Sequence, residues 1–71
     1  MNIYLTKKIL KDNIGKNVSI KYNLGRNKYE HFDGTIDNLY SNVFTIIDNK
    51  NRLHSFSYND YIMRQIIIDF K

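Results

Sequence analysis

The stretch Asn17-Val18-Ser19-Ile20-Lys21-Tyr22-Asn23-Leu24-Gly25-Arg26 decides how this chain folds. Val18, Ile20, Tyr22 and Leu24 are apolar and alternate with Asn17, Ser19, Lys21 and Asn23. Successive side chains of a strand point to opposite faces, so a period of two predicts a half-buried strand. Asn23-Leu24-Gly25-Arg26 then reads as a hairpin turn, with Gly25 supplying the positive φ that most L-residues avoid. A second strand follows over residues 27–39. Gly34 interrupts it, and a glycine inside a strand marks a bulge or sharp bend.

Working outward, residues 43–47 form a short third strand and Asp48-Asn49-Lys50-Asn51 a turn cluster. A fourth strand spans 52–57, with Leu53 and Phe56 available for the core. Ser57-Tyr58-Asn59-Asp60-Tyr61 is too polar for a strand, and Ser57 is placed to cap one helical turn. A fifth strand covers 65–70. Upstream of the first strand the period changes. Ile3, Tyr4, Leu5, Ile9, Leu10 and Ile14 fit a helix over about 3–14, with Leu5–Ile9 and Leu10–Ile14 at helical spacing. Thr6 is a candidate cap for its start, and Gly15 a left-handed stop. One helix followed by about five short antiparallel strands, the second long and bent, predicts a mostly β fold. Its closest architecture is a small bent barrel of the SH3-like or Sm-like kind, with the barrel over about 17–70.

The whole chain is 71 residues, the size of one small domain over 1–71. A chain this short buries only about 60% of the surface it exposes when unfolded. Cysteine is absent, so no disulfide adds support, as suits a reducing compartment. Apolar residues make up 42% and aromatics 14%, enough for one core with a narrow margin of stability. Pairing with a second copy is therefore an open option. The longest apolar runs fall far short of the roughly 18 residues of a membrane span. Charge follows the first apolar residues without a small-residue cleavage site, unlike a signal peptide. The expectation is a cytoplasmic protein with no membrane partner.

The net charge of +4 is unevenly spread. Residues 1–30 hold Lys7, Lys8, Lys11, Lys16, Lys21, Arg26 and Lys28 against Asp12 and Glu30, while residues 31–71 carry one more acid than base. A one-sided basic field attracts polyanions by counterion release. The same charge also serves plain solubility. The abundance of Asn, Ile and Lys marks an AT-rich coding sequence, which lowers the weight of any single lysine as a signal.

Catalytic chemistry has little to draw on. His31 and His54 are the only histidines; His31 and Asp33 share a strand face, but zinc wants three or four ligands. Asp33 and Asp37 are the one candidate carboxylate pair, with no cleft implied between them. Three isolated glycines do not make a phosphate-cradling loop. No catalytic residue, metal or cofactor is expected.

A further set of blocks stands out in order along the chain: Asn13-Ile14-Gly15-Lys16, Asn23-Leu24-Gly25-Arg26-Asn27-Lys28, Gly34, Tyr40-Ser41-Asn42-Val43-Phe44 and Phe56-Ser57-Tyr58-Asn59-Asp60. In this order and spacing, over roughly residues 5–70, they resemble the Veg family, small cytoplasmic proteins of low-GC Gram-positive bacteria. The chain departs from the pattern where Leu24 replaces one of two glycines before the arginine and Asn27 replaces a second basic residue. The resemblance implies an SH3-like barrel behind an N-terminal helix. It also implies a role in regulating gene expression, through stimulation of biofilm matrix genes.

The expected working part is a surface. Lys21, Arg26 and Lys28 surround the first hairpin with Tyr22 and Tyr29 beside them, and Lys7, Lys8 and Lys11 project from the helix. Tyr22 fits the core with Val18 and Ile20. Tyr29 either covers a sheet edge or stacks on a base. One expectation is a regulatory module that binds a protein partner, a transcription regulator or an RNA-containing complex, by strand addition or loop contacts. The alternative is direct DNA or RNA binding through the basic half.

Overall fold

The computed structural model describes residues 2–70. Helix α1 (Ile3–Lys11) precedes strands β1 (Asn17–Gly25), β2 (Lys28–Leu39), β3 (Val43–Asp48) and β4 (Leu53–Ser57). The short helix α2 (Tyr58–Ile62) then leads into β5 (Ile66–Phe70). All strand pairings are antiparallel, in the order β4-β3-β2-β1-β5. The mostly β architecture with one N-terminal helix is the one the helical spacing of residues 3–14 and the strand pattern after it predict. Among the described residues no helix is long and apolar enough to cross a membrane.

The sheet is rolled. Tyr22 on β1 and Phe56 on β4 have ring centroids 5.6 Å apart. Those strands are three intervals apart in the order, and in a flat sheet about 4.8 Å per interval would put them about 14 Å apart. Rolling lets one face of every strand meet in a single core of Leu10, Val18, Ile20, Ile36, Phe44, Ile46, Tyr58, Ile66 and Ile68. The roll stops short of closure, because β4 and β5 share no ladder. Helix α2 lies between them. Ser57 caps it, its Oγ accepting from the Asp60 amide at 3.0 Å. Tyr58 buries its ring against Phe44 and donates its hydroxyl to the Tyr40 carbonyl at 2.6 Å. Burial pushes the Tyr58 phenol above its ordinary pKa, and the hydrogen bond opposes that shift.

Strand β2 serves both halves of the sheet. Gly34 and Thr35 pair with Val18 and Asn17 on one side and with Asp48 and Ile47 on the other. A Cβ on Gly34 would sit 2.5 Å from the Ile47 carbonyl oxygen and 3.1 Å from Ile46 Cγ2. Of the bulge or sharp bend expected at Gly34, the bulge is not there; the glycine marks a close backbone approach. The irregularity comes later, where Asp37 is the extra residue between Ile36 and Asn38.

Several local expectations shift by a residue or a turn. Asn2, not Thr6, caps α1, its Oδ1 accepting from the Leu5 amide at 2.9 Å. Thr6 is fully buried one turn further in, its hydroxyl donating to the Asn2 carbonyl at 3.0 Å. The helix ends at Lys11 and not at residue 14, because the Asn13 side-chain amide takes up the free Ile9 carbonyl at 2.8 Å. Gly15 does take the left-handed conformation at φ +84°, and its N–H ties the turn to the Ile36 carbonyl of β2 at 2.9 Å. The first hairpin turns at Arg26 and Asn27, both at positive φ, the demand of a two-residue type I′ turn. Gly25, at φ +107°, lies inside the ladder opposite Lys28, next to the extra residue Leu24. Leu53 is 63% exposed and leaves the core, since pairing Phe44 with Phe56 and Ile46 with His54 turns the even positions of β4 inward.

At one end of the roll the aromatic side chains form a mouth. His54 stacks on Phe32 at 4.2 Å, and Tyr22 meets Phe32 edge-on at 5.9 Å. His54 Nε2 lies 2.8 Å from Asp48 Oδ2, while Asp48 Oδ1 accepts from the amides of Lys50 and Arg52, each at 2.9 Å. One carboxylate thus closes the β3–β4 turn and fixes the imidazole on its ring partner. These bonds hold the Asp48 carboxyl below its ordinary value of 3.8, the His54 hydrogen bond contributing most.

Two outcomes follow. Gly34→Ala forces the β2 and β3 backbones apart and lowers stability by about 1–3 kcal/mol, read from the urea midpoint; an unchanged midpoint contradicts the close approach. A depressed carboxyl contributes stability that is present above its unfolded pKa and is lost as pH falls through the folded one. The stability difference between the native chain and Asp48→Asn is therefore full at about pH 5 and shrinks below about pH 4. Denaturant melts at stepped pH check this, and a difference that stays constant down to about pH 2 rules it out.

Candidate functional site

The six basic side chains of the expected surface fall into two groups at opposite ends of β2, which begins at Lys28 and ends at Leu39. The hairpin group sits at the start. Lys21 and Tyr29 share the outer, convex face of the sheet, where the Lys21 ammonium lies 4.6 Å from the Tyr29 ring centroid. This contact is a cation–π pair at an exposed site, with about half of Tyr29 open to solvent. Arg26 stands at the turn itself. Lys28 is one residue from Tyr29, so strand alternation sends it to the other side of β2, the side of Glu30 and Phe32. Tyr22 belongs to the inner face, between Phe32 and Phe56.

The second group lines a groove of about 660 Å³ between α1 and the β2–β3 connection. Its walls are Tyr4, Lys7, Lys8 and Lys11 from the helix and Leu39, Tyr40, Ser41 and Tyr58 from the body of the fold. The helix contributes four side chains because spacings of three, four and seven residues return to one face. Lys7 is half-buried and lies over the Tyr58 ring at 5.1 Å from the centroid. Tyr4 is 75% exposed and Tyr40 53% exposed. No carboxylate lines the groove, and no lysine in it has a salt-bridge partner among the described residues. Lys8 and Lys11 also complement the negative end of the α1 dipole, a structural use of the same charges.

Lys7, Lys8 and Lys11 are thus brought together, Lys21 and Tyr29 are brought together, and the two groups are kept apart. Tyr4 and Tyr40 are the groove residues that sequence reasoning missed. The helical spacing of Tyr4 to Lys7, Lys8 and Lys11 is a signal that could have found the first. Tyr40 carries none, since only the packing of α1 beside the β2–β3 connection makes it a wall.

The remaining polar clusters are smaller. Asp33 accepts from the Ser19 hydroxyl at 2.7 Å on the convex face, and Asp37 lies 3.4 Å from the Thr45 hydroxyl at the bulge. Among the described residues no group of three or more metal-ligating side chains comes together. The arrangement presents charged and aromatic surfaces and free strand edges.

The chain can now be set beside known proteins. No curated protein matches it. The family model described as biofilm formation stimulator VEG matches residues 2–69, from the cap of α1 to the penultimate described residue of β5. A match over nearly all of a 71-residue chain places it: the chain belongs to the VEG family of biofilm formation stimulators.

Proposed function

We propose that this chain is a cytoplasmic, non-enzymatic regulator of gene expression that works by binding a protein partner. The observation that carries the reading is the open edge of the rolled sheet. Strand β5 pairs only with β1, so its outer row of N–H and C=O groups has no strand beside it. Such an edge is a template for an extended segment of another chain. A groove of about 310 Å³ runs next to it, lined by Tyr61, Ile62, Arg64, Ile66, Ile67 and Ile68. An added strand would draw affinity from main-chain hydrogen bonds and selectivity from the side chains it seats in that groove. Membership in a family of biofilm formation stimulators supports a regulatory role, and expression of matrix genes is the natural process for it.

A second reading, direct binding of nucleic acid, is favoured by the carboxylate-free lysine groove of α1.

The test of the first reading is site-specific photocrosslinking. A photoreactive residue at Ile67, which is 46% exposed, is expected to yield adducts with another protein from nuclease-treated cell extract. The same probe at Tyr29, two strands away from the β5 edge, is expected to yield none. Absence of any protein adduct at Ile67 refutes the reading. An adduct of twice the mass of the chain reports a second copy at the edge.

A further inference from the structure

The α1 groove has features that the stability of the fold does not require. Lys7 and Lys11 are four residues apart on one helix, and like charges at that spacing oppose helix formation. No carboxylate lining the groove relieves that repulsion. Tyr4 and Tyr40 expose large aromatic faces beside these charges. Both rings are open to a ligand that enters the groove.

We infer that this groove binds single-stranded nucleic acid, with bases stacked on Tyr4 and Tyr40 and phosphates held by Lys7, Lys8 and Lys11. This deepens the second functional reading and rests on it. Lys7, Lys8 and Lys11 have no carboxylate partner among the described residues, and their joint charge complements a polyanion. An acidic peptide would satisfy the charges as well, but its carboxylate side chains have no aromatic face to offer two exposed tyrosines. A duplex would satisfy the phosphate contacts, but its bases are already stacked on one another and closed to side chains. A single strand meets both demands. The floor of the groove is held in place before any ligand arrives. Tyr58 is fixed by its bond to the Tyr40 carbonyl and covered by Lys7. The Asn38 side-chain amide lies 3.4 Å from the Tyr40 hydroxyl, which limits the swing of that ring.

The hairpin group is less suited. Its cations do not converge: Lys21 lies with Tyr29 on the convex face, and Lys28 points to the side of Glu30.

Fluorescence anisotropy with labelled oligouridine and oligodeoxyuridine of equal length, over a range of salt, tests the assignment. With three phosphates neutralised, the logarithm of affinity is expected to fall with the logarithm of salt at a slope of about −2. A chain with Lys7, Lys8 and Lys11 all changed to Gln is expected to lose most of that slope. Tyr4→Ala is expected to weaken binding about five- to 150-fold, the range for one stacked base, while Tyr4→Phe keeps the ring and the affinity. Preference between the two oligomers tells RNA from DNA through the 2′-hydroxyl. If the change of Lys21, Arg26 and Lys28 to Gln abolishes binding while the α1 variants bind normally, the groove assignment is wrong and nucleic-acid binding itself stands. If neither oligomer binds even at low salt, both fail. If polyglutamate of matched charge displaces the oligomer with equal potency, the groove is an acidic-peptide site and the inference is overturned.

Discussion

The structure depends on one strand being paired on both sides over a two-residue overlap. At Gly34 and Thr35, β2 is bonded at once to β1 and to β3. Before that overlap β2 belongs to the first hairpin, and after it to the second. The missing side chain at Gly34 lets the Ile47 carbonyl approach to a distance no Cβ would allow. With the backbones so close, the sheet curls tightly enough for β1 and β4 to touch through Tyr22 and Phe56. A single core then forms from one face of five strands.

That curl also explains the end structures. A rolled sheet of five short strands has two edges that face each other without meeting, and α2 occupies the space between them. Tyr58 is the anchor: its ring fills the core and its hydroxyl reaches the β2–β3 connection. Helix α1 packs beside α2, tied through the Gly15 amide to β2. The groove that holds Lys7, Lys8 and Lys11 exists because these two elements dock at the same corner. At the opposite end, Asp48 and His54 close the β3–β4 turn and brace the aromatic mouth. The molecule therefore separates its duties. The inner face holds the core, and the outer charges, the α1 groove and the β5 edge lie outside it.

Basic residues scattered through the first thirty positions look like one field when read along the chain. In the fold they are two. The hairpin extends β2 away from the helix, so Lys28 and Leu39 stand at its two ends and carry their neighbours with them. Charge attracts at long range, but stacking and phosphate contact need aromatic and cationic groups within a few ångströms of each other. The α1 group gathers three lysines and two exposed rings around one groove.

Local periodicity alone determined the element types, the mostly β class and the presence of a helix before the strands. The alternation through Val18, Ile20 and Tyr22 can bury one face only as a strand, and residues 57–61 with their capping serine can start only a helical turn. Order of the residue blocks also carried the family. The tertiary structure decided what periodicity leaves open. Whether Gly34 bulges or admits a carbonyl depends on a strand thirteen residues downstream. Whether Leu53 or His54 faces the core depends on the register with β3, because a one-residue slip reverses every side chain. Whether Asn2 or Thr6 caps α1 depends on which of them the core buries. Tyr40 became a wall of the groove for the same reason: its neighbours there are far away in sequence, and only packing brings them together.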